Sequence, residues 1–258
     1  MNKTYHVACL LALFCQLMGV PSFSSAGTGL PNTIDSIRGS IVGIGTIRQE
    51  FRQTKTTFSG TGFVVGDGTQ VVTNYHVYRG IKEKSVGDLV VFSGRGETAR
   101  AYRARLEKAD ENHDLALLKL DGAHLPVMKL AGDSFMREGE DVAFTGFPIG
   151  MVLGLYPVTH RGVISAITPI VIPVDSAKRL TAEQIKRIRE KRFEVYQLDG
   201  TAYPGNSGSP VYEIDSGKVI GVINSVFVKG TKEAALEDPS GISYAIPVKY
   251  VRRLLWGK

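Results

Sequence analysis

PGNSGSP, Pro204 to Pro210, is a tight glycine-rich stretch that runs straight into the apolar pair Val211 and Tyr212. Pro, Gly, Asn and Ser are all turn formers, so alone it reads as a turn leading into a strand. Its meaning changes with two other segments. A serine hydroxyl is a poor nucleophile at neutral pH and needs a base within hydrogen-bond reach, and an imidazole base needs a carboxylate to fix its tautomer. TNYHV (73–77) puts His76 where the apolar run VVT ends, and NHDLALLKL (112–120) puts Asp114 at the head of another run. Ser207, His76 and Asp114 are therefore the candidate nucleophile, base and orienting carboxylate. Gly205 lets the chain turn its own N–H and that of Ser207 toward one point, as an oxyanion requires. Gly205 and Ser207 are the oxyanion-hole candidates.

Each segment alone has a plainer reading: a histidine at a strand end is usually a surface or packed residue, and DLAL is an ordinary strand. Their conjunction carries the argument. His113 adjoins Asp114 and competes for the role of base, but neighbours along a strand point to opposite faces. His124 and His160 have no motif around them and read as structural or surface residues.

Working outward, short β-rich runs separated by Gly, Asp and Pro fill most of the chain: SIVGIGTI, GTGFVV, QVVTNYHV, GDLVVFS, ARAYRARL, DLALLKL, EDVAFTGFP, RGVISAITPIVIP, FEVYQL, GSPVYEI, KVIGVINSVFV and GISYAIP. This pattern predicts an all-β fold of barrels or sandwiches, with room for two small barrels side by side. Of the 258 residues 43% are hydrophobic and 22% charged, which excludes disorder and leaves ample material for a core. Two segments break the β pattern. Pro247 opens PVKYVRRLLW, whose apolar positions recur at helical spacing, so 248–256 is expected to be a C-terminal helix. Residues 178–192 hold seven Lys or Arg against two Glu, with Thr181 and Gln184 in capping-box positions, and read as an inserted basic surface helix.

The N-terminus has Lys3, then the 14-residue apolar run VACLLALFCQLMGV, then Gly19, Pro21, Ser24 and Ala26. It is shorter than the ~20 residues of a spanning helix and has the order of a signal peptide, residues 1–26. Both cysteines, Cys9 and Cys15, lie inside it, so the remaining 27–258 would reach an exported compartment, periplasmic or extracellular, without a disulfide.

SGTGFVV, TNYHV, HDLALLKL, YQLDGTAYPGNSGSPV, VIGVINS and GISYAIPVKYVRRLL together resemble the protease domain of trypsin-like serine peptidases, closest to the HtrA/Deg type, across most of Ser59 to Leu255. The resemblance implies two antiparallel six-stranded β-barrels, about 34–130 and 131–247, with His76 and Asp114 on the first, Ser207 on the second and a cleft between them. It implies an exported serine endopeptidase acting on protein or peptide substrates, with no cofactor or metal, as a monomer or homotrimer. Thr201 and Ala202 would lie at the base of the specificity pocket, and Asn224, Ser225 and Val226 along the strand that pairs with substrate.

Three departures bear on what the resemblance carries. The 48 residues after Pro210 are occupied by closing strands and a helix, so no PDZ domain is expected. The usual GNSGGP is GNSGSP here, with Ser209 for Gly, as in glutamyl endopeptidases. Those enzymes would have Thr and His at Ala202 and Ile223, so small or medium apolar P1 side chains are expected instead. Two alternatives remain: glutamyl-endopeptidase-like specificity, and a catalytically silent trypsin-like binding module. The 178–192 segment could contact an anionic surface, but it lacks the interleaved aromatics of a specific nucleic-acid site.

Overall fold

The computed structural model describes residues 29–51, 53–84, 87–148, 154–169, 193–224 and 241–257. The expected signal peptide 1–26, the basic helix 178–192, and Ser225 and Val226 lie outside the described residues.

Twelve strands form two closed barrels, each closed by antiparallel pairing of its six strands. The first contains β1 (Ile41–Glu50), β2 (Gln53–Val65), β3 (Gln70–Asn74), β4 (Asp88–Ser93), β5 (Arg100–Asp110) and β6 (Leu115–Leu120), in the order β1-β2-β3-β6-β5-β4. The second contains β7 (Asp141–Gly146), β8 (Val158–Pro169), β9 (Glu194–Asp199), β10 (Pro210–Glu213), β11 (Val219–Asn224) and β12 (Ile242–Pro247), in the order β10-β11-β12-β9-β8-β7. Pairing of β1 with β4 and of β10 with β7 closes the rings, so no strand of either barrel is left as an open edge. The fold is the two-barrel, all-β architecture expected from the sequence.

Side-chain alternation along the strands explains why several runs are apolar at every position. Val42, Ile44, Val64, Val71 and Leu118 fill the first barrel, and Val142, Phe144, Ile164, Leu198 and Ile223 fill the second. Their chain neighbours Ile41, Phe63, Val65, Val72 and Leu117 point the other way and pack with Ala143, Val222 and Ile246 in a third cluster between the barrels. Strands such as GFVV and LALL are thus buried on both faces.

Two helices run against the sequence reading. α1 (Gly29–Ile37) precedes the first barrel, and α2 (Tyr75–Lys84) begins inside the run QVVTNYHV that was expected to stay extended to Val77. The physical cause is the i, i+4 pair Val77 and Ile81, which packs on the first barrel's core. The alternation of VVT masks this helical spacing. Helix α3 (Val248–Trp256) forms where expected and ends at Gly257 with φ +70°, the left-handed conformation of a helix C-terminus. Lys108 Nζ donates to the carbonyls of Leu254 and Leu255 at 3.2 and 3.0 Å, joining that end of α3 to β5.

Candidate active site

His76 lies in the first turn of α2, and Asp114 in the tight turn between β5 and β6, immediately before β6. The two meet in space: His76 Nδ1 is 2.6 Å from Asp114 Oδ2, and the His76 backbone N–H donates to Asp114 Oδ1 at 2.7 Å. A carboxylate in this position keeps the ring proton on Nδ1 and leaves Nε2 as the basic nitrogen. The Asp114 carbonyl accepts from the Tyr75 N–H at 3.0 Å and from Asn74 Nδ2 at 3.1 Å. Backbone and side chain of Asp114 are therefore both fastened to the β3–α2 junction.

A further donor comes from the second barrel. Asn224, the last residue of β11 and only 1% exposed, donates from Nδ2 to Asp114 Oδ2 at 2.7 Å. The sequence reading put Asn224 on the substrate-binding edge; the structure turns its side chain toward Asp114. No sequence pattern signals this role, because the two residues are 110 positions apart and on different barrels.

Ser207 sits in the loop between β9 and β10 and is 7% exposed. That loop is docked on β2 through Thr61, another residue whose role sequence reasoning missed. The Thr61 N–H donates to the Ser207 carbonyl at 2.9 Å, and Thr61 Oγ1 donates to the Gly205 carbonyl at 2.7 Å. Thr61 Oγ1 also accepts from the Phe147 N–H at 3.0 Å, while Thr73 Oγ1 donates to the Thr61 carbonyl at 2.7 Å. Next to it, a Cβ added to Gly60 would lie 2.8 Å from a Val77 methyl and 3.1 Å from the Ser207 carbonyl oxygen. The bare backbone at Gly60 is what lets α2, carrying His76, and the Ser207 loop approach the same point of β2. Among the described residues no hydrogen bond joins Ser207 Oγ to His76; such bonds are commonly long until substrate is bound.

Gly205 has φ +102° and Gly208 φ +88°, conformations that L side chains disfavour. Among the described residues the N–H groups of Gly205 and Ser207 are committed to no hydrogen bond, so both remain available as donors. Asn206 and Ser209 are wholly buried, and their side-chain polar atoms have no partner among the described residues. A Cβ on Gly146 would come within 2.0 Å of Ser209 Oγ and 2.8 Å of Asn206 Oδ1.

Of the expected pocket residues, Thr201 and Ala202 are half-buried, and Ala202 packs against the second barrel's core with its N–H on Ser243 Oγ at 2.8 Å. Ile223 lies within that core. His160 stacks on Phe144 at 4.8 Å, and burial holds its imidazole below its ordinary pKa, in keeping with a structural role. His113 pairs with Asp110 at 2.6 Å and stacks on Tyr250, so it does not compete for Asp114. Among the described residues no cluster of three His, Cys, Asp or Glu could hold a metal ion.

A family model described as a trypsin-like peptidase domain matches residues 60–222. The chain belongs to the trypsin-like peptidase family. This trypsin-like peptidase is 33% identical over 200 residues to the mitochondrial serine protease HTRA2 of Drosophila pseudoobscura pseudoobscura, an alignment covering 78% of this chain and 39% of that protein. It is 31% identical over 189 residues to a probable periplasmic serine endoprotease, DegP-like, of Halomonas elongata, covering 73% of this chain and 32% of that one. The chain thus spans less than half the length of these relatives. The solved structure of the HtrA-type protease AlgW with a tripeptide superposes with a TM-score of 0.62 at 22% identity, over 88% of this chain and 62% of that one, a likeness of fold.

Proposed function

We propose that this trypsin-like peptidase is an exported serine endopeptidase that cleaves peptide bonds through an acyl-enzyme on Ser207. The observation that carries the reading is the His76–Asp114 pair, braced by Asn224 from the second barrel, beside a Ser207 loop fastened to the first barrel through Thr61. In this reading His76 Nε2 takes the Ser207 proton as Oγ attacks the scissile carbonyl. Asp114 holds the ring in the required tautomer and stabilises the imidazolium. The Gly205 and Ser207 N–H groups receive the oxyanion of the tetrahedral intermediate. The imidazolium then protonates the leaving amine, and a water, activated by the same nitrogen, hydrolyses the acyl-enzyme.

The substrate is a protein or peptide with a small or medium apolar P1 side chain. Thr201 and Ala202 offer no charge, so a charged P1 group would be desolvated without a partner. The substrate backbone adds as a strand along Asn224 and the two residues after it. The leader-like residues 1–26 support export, and one relative is named periplasmic. The assembly is a monomer or a homotrimer.

The test is covalent labelling with a fluorophosphonate, combined with casein hydrolysis. The wild-type protein should carry the label on Ser207 and degrade casein, and Ser207→Ala should do neither while melting at the wild-type temperature. Undiminished casein hydrolysis by Ser207→Ala would rule the assignment out, and a wild-type protein that neither labels nor cleaves would point to the silent binding module.

A further inference from the structure

Asp114 has φ +51°, the one positive value among the described non-glycine residues. L-residues disfavour this region, although Asp tolerates it better than most, so the surrounding structure has to impose it. On its C-terminal side the imposing contacts are those from Asn74, Tyr75 and His76. On its N-terminal side the turn springs from the pairing of Asp110 with Leu115, and within it the Asp114 N–H is held only by a long contact, 3.4 Å, to the Glu111 carbonyl. What else fixes that side is His113. Its Nδ1 is 2.6 Å from Asp110 Oδ2, and its backbone N–H donates to Asp110 Oδ1 at 3.1 Å. Its ring stacks on Tyr250 of α3 at 3.9 Å and 20°, and meets the edge of Phe193, just before β9, at 4.7 Å and 68°. Those two rings meet each other at 5.3 Å and 73°. Since Phe193 leads into the second barrel and α3 follows its last strand, the imidazole ties the Asp114 turn across the molecule, as Asn224 ties the Asp114 carboxylate.

We propose that His113 and Asp110 form a second His–Asp pair that takes no part in the chemistry and serves as the positioning unit for Asp114. The carboxylate orients the ring, and the ring docks the turn on Tyr250 and Phe193. Burial alone would raise the Asp110 carboxyl, but hydrogen bonds from the His113 ring and backbone, together with the ring's charge, outweigh it and hold the carboxyl below its ordinary value. Asp110 therefore stays ionised at neutral pH as a fixed acceptor for Nδ1. Both ends of the triad carboxylate's setting then depend on the second barrel: the side chain through Asn224, and the backbone through His113.

The proposal rests on Asp114 being the triad carboxylate, so the experiment includes a measurement that needs no turnover. His113→Ala and His113→Phe would be prepared in the full chain, the second keeping the ring packing and losing only the bond to Asp110. For each, kcat and KM would be measured on a cleaved peptide, and the low-field proton resonance of the His76 Nδ1–H would be recorded without substrate. In His113→Ala, kcat should fall up to about 100-fold with KM unchanged, the scale of a ~1 Å misplacement away from the reacting atoms. The His76 resonance should shift or broaden, and His113→Phe should lie between Ala and wild type in both readouts. Wild-type kcat and resonance in both variants would overturn the proposal, as would a loss of kcat matching the fraction of unfolded protein. A wild-type protein without hydrolysis whose His76 resonance still moves in the variants would overturn the proposed activity and support the positioning role.

Discussion

Two His–Asp pairs of nearly the same geometry meet at one turn, where Asp114 of the first directly follows His113 of the second. In both, the ring Nδ1 is 2.6 Å from one carboxylate oxygen and the histidine's backbone N–H reaches the other, at 2.7 Å for His76 and 3.1 Å for His113. Neither burial nor the bond itself separates them: the side chains are 23% and 21% exposed in one pair, 17% and 21% in the other. The difference is what surrounds each ring. His76 stands at the start of α2, beside the Gly60 gap that admits the Ser207 loop, and its carboxylate takes a third donor from Asn224. His113 is covered by Tyr250 and Phe193. One pair joins residues 3 apart and closes a local turn; the other joins residues 38 apart and exists only once the barrel has closed. An imidazole–carboxylate bond is thus a general orienting device, and in the proposed mechanism it makes a base only of the ring whose outer nitrogen is left beside Ser207.

The comparison can be broken most severely at Asp114. Asp114→Asn should lower kcat by roughly 10⁴-fold through the wrong histidine tautomer, measured on a short peptide at neutral pH. Equal activity in the two proteins would point to another carboxylate as the partner of His76. Asn224→Leu removes the donor that only the first pair has. Leaving Asp114 Oδ2 one hydrogen bond short should cost about 10- to 100-fold in kcat, the scale of a hydrogen bond to a charged group. A change confined to KM would show that the Asn224 side chain serves substrate binding and not Asp114. The smallest effect is expected at Asp110. Its folded pKa lies below the ordinary 3.8, so its stabilisation is present above that value and is lost as the pH falls through the folded value. Asp110→Asn should therefore be less stable than wild type at neutral pH, by on the order of 1 kcal/mol for a single partly buried pair, and the gap in melting temperature should close on acidification. A gap independent of pH would show that the carboxylate's charge contributes nothing.

The three segments proposed to carry the chemistry stood out in the sequence because each sets an unusual residue at the boundary of an ordinary strand: His76 after VVT, Asp114 before LALLKL, Ser207 before PVYE. The twelve strands were legible because barrel closure buries both faces of many of them, which writes continuous apolar runs between turn residues. Helix α2 was not legible, since Val77 and Ile81 supply only one turn of helical spacing and follow directly on an alternating strand. The braces were hidden for a different reason. Asn224 and Thr61 act on residues 110 and 144 positions away, through hydrogen bonds that no local pattern encodes. His113 was discounted on the premise of an extended strand, but it stands in a turn, where adjacent side chains need not oppose each other.

The closeness of Gly146 to Ser209 makes the residue allowed at one position depend on the other. With Ser209 in its present rotamer its hydroxyl occupies the space that any side chain at 146 would need, 2.0 Å from where a Cβ would be. Alanine at 146 would leave this serine rotamer no vacancy, whereas glycine leaves it room. The two positions, 63 apart in sequence and on different segments of the second barrel, are therefore coupled: the serine hydroxyl at 209, as it stands, requires the bare backbone at 146.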